Sequence, residues 1–166
     1  MSAHTTHHLA QYNVAKLVAP LDDPRLADFH ASLARINELG DRSPGFVWRH
    51  QNADGNSTGT RVGDDPLVVI NFTVWESIEA LFEYTYHSDH VEVFRRRRDW
   101  FEDHGGQPYL VFWWIPAGHI ATGEEAGQRL AYLRDHGPTP HAFDFKHRFP
   151  PPVSDDAPRE DAPAAV

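Results

Sequence analysis

No cysteine occurs in this chain. Disulfides, thiolate nucleophiles and Cys-ligated zinc are therefore excluded. Positive charge is scarce as well: 24 acidic residues stand against 15 Lys and Arg, a net charge of −9 with histidine neutral. No nucleic-acid partner is expected from that balance, because phosphate binding calls for a basic face. The run Arg95-Arg96-Arg97-Arg98 is the one counter-signal. On a helix, consecutive residues fan around most of the circumference and form no phosphate-tracking stripe. Glu92, Asp99, Glu102 and Asp103 lie at helical spacings that would pair with some of them. Long apolar runs are missing too, none approaching the roughly 20 residues needed to span a bilayer. Residues 1–8 lack the basic stretch and apolar run of a signal peptide. No membrane partner and a cytoplasmic address are expected. With no GxGxxG, phosphate loop, GxSxG or HExxH, nucleotide binding and the hydrolase chemistries of those motifs have no support.

What is present describes one folded domain. The 166 residues, 40% hydrophobic with five Trp, suffice for one core. Residues 9–19 read as a strand. Asp22-Asp23-Pro24 starts a helix, with Leu26, Phe29, Leu33, Ile36 and Leu39 at helical spacing and Gly40 as its stop. Residues 46–51 form a short strand, 52–66 a polar loop and 67–74 a β-branched strand. A helical pattern covers 76–103, with a break foreshadowed near His87-Ser88-Asp89, where Ser or Asp would cap a new helix. Residues 109–115 form the fourth strand, 124–135 a helix burying Leu130 and Leu133, and Ala142 to Phe145 a candidate edge strand. The domain is expected over 8–149, with a disordered Pro-, Ala- and Asp-rich tail over 150–166.

Residues 67–115 are the most informative stretch. At about 100° per residue, Glu83, His90, Phe94, Arg97 and Phe101 share one helical stripe, with His87 and Arg98 on its flanks. Burying a carboxylate, imidazoles and a guanidinium among aromatics is costly without partners, so the stripe points to a polar-lined pocket. His90 is the leading acid–base candidate. Its structural alternative is a core histidine satisfied by Tyr12 or a backbone carbonyl. Glu83, His87 and His90 would form a possible N/O metal set, although a break near Ser88 would scatter that face. Arg97 and Arg98 are candidate anchors for a carboxylate or phenolate, or partners in salt bridges. Trp48, Trp75, Trp100, Trp113 and Trp114 would stack a planar ligand or fill the core. Asn71 interrupts an apolar strand and needs a ligand or a neighbour to bind.

The order β-α-β-β-α-β is a ferredoxin-like unit, an α+β fold with two helices on one face of an antiparallel sheet. The other face then needs a cover, and a homodimer is the expected solution. This order resembles the dimeric α+β barrel superfamily of antibiotic-biosynthesis and haem-degrading monooxygenases. Five local motifs resemble an uncharacterised bacterial family within it. They are Ser43-Pro44-Gly45-Phe46-Val47-Trp48-Arg49, Asn71-Phe72-Thr73-Val74-Trp75-Glu76-Ser77, Arg97-Arg98-Asp99-Trp100-Phe101, Trp113-Trp114-Ile115-Pro116-Ala117-Gly118-His119, and Gly137-Pro138-Thr139-Pro140 followed by Ala142-Phe143.

The resemblance implies a site between sheet and helices. Haem-degrading relatives use an Asn, a Trp and a His there, for which this chain offers Asn13 or Asn71, Trp75 and His90. It also implies cofactor-independent oxygenation, in which the substrate supplies the electrons. Other members of the superfamily dehalogenate, isomerise, dehydrate or cyclise, so fold alone does not choose. The expectation is a small-molecule enzyme, monooxygenase-like and without cofactor or metal, acting on an aromatic or polyketide-like substrate. His90 and Arg97 are its catalytic candidates; Asn71, Trp75, His87, Phe94, Trp48, Tyr12 and Glu83 are its substrate-binding ones. The alternatives are a non-catalytic protein for haem or another hydrophobic ligand, and a lyase, isomerase or cyclase.

Overall fold

Alternation along β1 (His7–Lys16) and β3 (Val68–Trp75) gives the sheet two chemically different faces. In the computed structural model, which describes residues 7–153, these strands join β2 (Phe46–Arg49) and β4 (Leu110–Pro116) in the order β2-β3-β1-β4. Every pairing is antiparallel, as a ferredoxin-like unit requires. Pairing Gln11 with Thr73 and Phe112, and Asn13 with Asn71 and Leu110, puts these residues on one face. The opposite face carries Ala10, Tyr12, Ile70, Phe72, Val74, Val111, Trp113 and Ile115.

The first face receives the helices between the strands. A 3-10 turn (Pro24–Leu26), capped by Asp23 accepting from the Arg25 N–H, leads into α1 (Ala27–Arg42). Phe29 packs there with Ala15, Val69 and Trp100. The expected stop at Gly40 is corrected: α1 continues to Arg42, and Gly40 lies buried beneath Tyr84, where a Cβ would stand 3.5 Å from the ring. The turn expected at Ser43-Pro44-Gly45 follows, and Gly45, with a φ of +80° and a would-be Cβ 2.5 Å from Ala80 Cβ, admits no side chain.

The long helical pattern resolves into α2 (Ile78–His87), α3 (His90–Arg95) and α4 (Arg97–Trp100). Ser88 makes the first break: its extended backbone leaves the helix while its hydroxyl donates to the Tyr84 carbonyl and accepts from the His90 N–H. A second break falls at Arg96, between α3 and α4, where no side-chain cap marks it.

The second face is not bare. α5 (Gly123–His136) lays Ala126, Leu130 and Leu133 across it, three buried residues at i, i+4 and i+7. Burying each leucine contributes about 1.5–3 kcal/mol. The premise of the expected homodimer, an uncovered apolar face, is therefore corrected: the chain covers this face itself. The expected edge strand shrinks to one bridge, in which Phe143 N–H donates to the Phe112 carbonyl (2.9 Å) and Phe112 N–H returns the bond (2.8 Å). Residues 150–153 carry no helix or strand, and the rest of the expected disordered tail lies outside the described residues. Among the described residues, no helix is long and apolar enough to cross a membrane.

Candidate active site

Between the first face and helices α1–α4 lies a cavity of about 770 Å³, within the range of small-molecule sites. Its floor is the polar row at the middle of the sheet. Trp75, fully buried, donates its indole N–H to Thr73 Oγ1 (2.8 Å). Thr73 donates onward to Gln11 Oε1 (2.7 Å), and Gln11 Nε2 donates to Asn13 Oδ1 (2.7 Å). An indole N–H is only a donor, so it fixes the direction of every later bond in the chain. Asn13, half-buried, is left with its amide N–H groups for the cavity. Asn71 stands opposite Asn13, exposed in the middle of an otherwise buried strand, and its side chain has no hydrogen-bond partner among the described residues.

The wall facing this floor comes from α2 and α3. Tyr84 stacks on Trp75 with ring centroids 5.0 Å apart and reaches the Ile36 carbonyl with its hydroxyl (3.3 Å). Burial pushes its phenol well above the usual range. His90 packs against Tyr84 at 4.8 Å and against Phe94 at 6.3 Å. Its Nδ1 lies 3.2 Å from the Thr85 carbonyl, an acceptor, so in the neutral ring Nδ1 carries the proton and Nε2 the lone pair. Nε2 has no partner among the described residues and is not sealed from solvent. Desolvation lowers the histidine pKa and outweighs the raising effect of the Thr85 carbonyl. A neutral imidazole with an open lone pair is a base ready to accept a proton.

Arg97 closes the wall beyond His90. Its guanidinium lies over the Phe94 ring at 4.3 Å and donates to the Phe94 carbonyl (3.1 Å). No carboxylate among the described residues pairs with it, so most of its donors are available to a ligand. Its neighbour Arg96 is structural, bridging Asp28 (2.9 Å) on α1 and Asp99 (3.2 Å). Arg98 lines the cavity mouth without an ion pair among the described residues.

The structure brings His90, Arg97, Asn71, Trp75 and Phe94 into this cavity and sends four other candidates elsewhere. Glu83 and His87 pair with each other (3.0 Å) on the exposed side of α2. The break at Ser88 turns α3, carrying His90 inward and leaving that pair outside. Glu83, His87 and His90 are thus no ligand set, and among the described residues no group of three His, Asp or Glu is disposed to hold a metal. Tyr12 and Trp48 point to the opposite face, where both pack edge-on against Phe72. Sequence reasoning missed Gln11, Thr73 and Tyr84. Gln11, Asn13, Asn71 and Thr73 did leave a signal: polar residues two apart in two apolar strands share a face.

Solved structures with a similar chain course are distant in sequence. PA3566 from Pseudomonas aeruginosa is 13% identical, covering 72% of this chain and 100% of its own, with a TM-score of 0.46. SnoaB from Streptomyces nogalater, a cofactor-independent oxygenase, is 18% identical over 68% of this chain and 95% of its own, with a TM-score of 0.44. The ActVA-Orf6 monooxygenase of Streptomyces coelicolor, solved with nanaomycin D, is 16% identical over 73% and 96%, with a TM-score of 0.33. Similarity this remote transfers no activity. No curated protein matches the sequence significantly. The model of a domain of unknown function, DUF3291, matches residues 8–160, and the chain belongs to that family.

Proposed function

We propose that the chain is a cofactor-independent, monooxygenase-like enzyme for a planar, phenolic or polyketide-like small molecule. One observation carries this reading: a histidine with its tautomer set by Thr85 faces a floor of amide donors inside a cavity walled by aromatic rings. His90 Nε2 takes a proton from an activated methylene beside a phenol or ketone. The N–H groups of Asn13 and Asn71 stabilise the developing oxyanion, and Arg97 holds an anionic group at the rim. The substrate anion adds O₂, first passing it one electron, and His90 returns its proton to the resulting peroxide. Loss of water leaves a carbonyl, so R₂CH₂ and O₂ become R₂C=O and H₂O, with all four electrons drawn from the substrate.

The test is oxygen uptake by the purified protein with anthrone or a hydroxylated anthrone as probe. One O₂ consumed per quinone formed, lost in His90→Gln, is the expected result. Proton exchange at the methylene without oxygen uptake would instead indicate an isomerase, lyase or cyclase. The open Nε2 of His90 is also the atom through which a haem iron would be held. A Soret band titrating to one haem per chain would favour the binding-protein reading.

A further inference from the structure

Beyond α5 the chain from Phe143 to Phe149 returns to the helix-bearing face of the sheet. The Trp114 indole N–H donates to the Phe149 carbonyl (2.9 Å) and fixes its end. Phe145 packs on Phe112 (4.6 Å), Tyr86 (5.6 Å) and Phe82 (5.8 Å), so this segment walls the cavity beside α2. It also carries a second arginine, Arg148, to that side of the molecule.

Arg148 is held in the same way as Arg97. Arg97 lies over the Phe94 ring and donates once to the Phe94 carbonyl. Arg148 lies over the Phe82 and Phe145 rings (5.2 and 5.8 Å) and donates once to the Phe145 carbonyl (3.0 Å). A guanidinium has five N–H donors, and stacking on a ring face leaves those in its plane available. Neither arginine pairs with a carboxylate among the described residues. Asp144, the acid nearest Arg148 in sequence, instead accepts from the Lys146 and His147 N–H groups (2.9 and 2.8 Å). Two guanidinium groups without a counter-ion are unexpected in a chain of net charge −9.

Tyr86 links the two. Its ring meets Phe94 edge-on (5.8 Å), and also Phe82 (4.8 Å) and Phe145 (5.6 Å), the rings that carry Arg97 and Arg148. Partial burial raises the pKa of its phenol and Tyr109 raises it further, while Arg97 and Arg148 both lower it. The Tyr86 hydroxyl therefore stands in the field of both guanidinium groups and of Tyr109. Tyr109 is set by stacking on His104 (4.1 Å) and by its carbonyl, which accepts from the Val14 N–H (3.0 Å). Both tyrosines line the cavity, and neither hydroxyl has a hydrogen-bond partner among the described residues. We infer that Tyr86, Arg97 and Arg148, with Tyr109, form a carboxylate clamp at the rim, so that the ligand is a planar aromatic carboxylic acid whose ring system extends toward His90. Two guanidinium forks match the two oxygens of a carboxylate, and the phenol O–H groups add donors to them. The inference rests on the reading of this cavity as the substrate site, not on the oxygen chemistry.

The test is isothermal titration calorimetry of the full chain with anthraquinone-2-carboxylate and with the matching carboxamide. Neither probe has a methylene to react, so binding is read apart from turnover. The carboxylate should bind about tenfold more tightly than the carboxamide. Arg148→Gln and Tyr86→Phe should each weaken the carboxylate at least about fivefold and leave the carboxamide unchanged. Lys146→Gln, which removes an exposed positive charge outside the clamp, should alter neither. Equal affinity for the two probes, binding of neither, or the same loss in Lys146→Gln as in Arg148→Gln would each overturn the clamp. Selective binding of the carboxylate without oxygen uptake from anthrone would uphold the clamp and remove the oxygenase reading instead.

Discussion

Asn13 and Asn71 face each other across the β1–β3 pairing, yet only Asn13 is held by a neighbour, the Gln11 amide. One is fixed from beneath by a relay that begins at Trp75; the other is free to turn toward whatever occupies the cavity. Cutting the relay and truncating the free amide should therefore have different effects.

Thr73→Val cuts the relay, stranding the Trp75 indole N–H and Gln11 Oε1 in a buried layer. A loss of about 1–3 kcal/mol is expected in urea unfolding. Asn71→Ala, at an exposed position, should change stability by no more than about 0.5 kcal/mol while reducing oxygen uptake. A stable Thr73→Val protein would mean that the floor is not ordered by this relay.

His90 sets a pH dependence. Burial lowers its pKa below the ordinary 6.5, so the unfolded chain binds the proton more readily than the folded one. The resulting stability is present above pH 6.5 and is lost as pH falls through the lower folded value. Turnover should follow the same direction, holding at neutral pH and declining on acidification as the Nε2 lone pair is protonated. The melting temperature of the parent should fall relative to that of His90→Gln on acidification if this holds. A bell centred on acid pH would place the base elsewhere.

Phe94 is half-buried, flanked by His90 and covered by Arg97. Phe94→Ala should therefore cost about 1–2 kcal/mol, less than a full core deletion, yet raise KM by loosening both neighbours. Arg97→Gln, which leaves the packing largely in place, should raise KM for an anionic substrate without moving the thermal midpoint. Equal effects of Arg97→Gln on charged and neutral substrates would remove its anchoring role.

With α5 seated on the second face, light scattering should return the mass of one chain, 18.9 kDa. Leu130→Ala, at a site only 4% exposed, should cost about 2–5 kcal/mol. A dimer mass that survives dilution would show that a partner copy docks on some other surface.

The strand order and the break near Ser88 were legible because alternation and capping are local signals. The position of α5 was not, since its apolar stripe states that it packs but not on which face. A stripe through Glu83, His90 and Arg97 requires one helical phase across residues 76–103, which the expected break at Ser88 denies to Glu83 and His87. The hydroxyl of Ser88 resets that phase. Tyr12 and Trp48 lie on the other face for a related reason: sidedness depends on register across strands, and a bulge between Phe46 and Trp48 shifts it within β2. Gln11 and Thr73 went unnoticed because each is an ordinary residue until the pairing sets them side by side.

The alternation of β1 has a consequence for how this chain can vary. Tyr12 belongs to the core beneath α5 and Asn13 to the cavity, separated by a single peptide. Substitutions at odd and even positions can thus reshape the two faces separately, as long as length is kept. Inserting or deleting one residue within β1 would exchange the two linings at a stroke, delivering a phenol to the chamber that holds His90 and amides to the apolar face beneath α5.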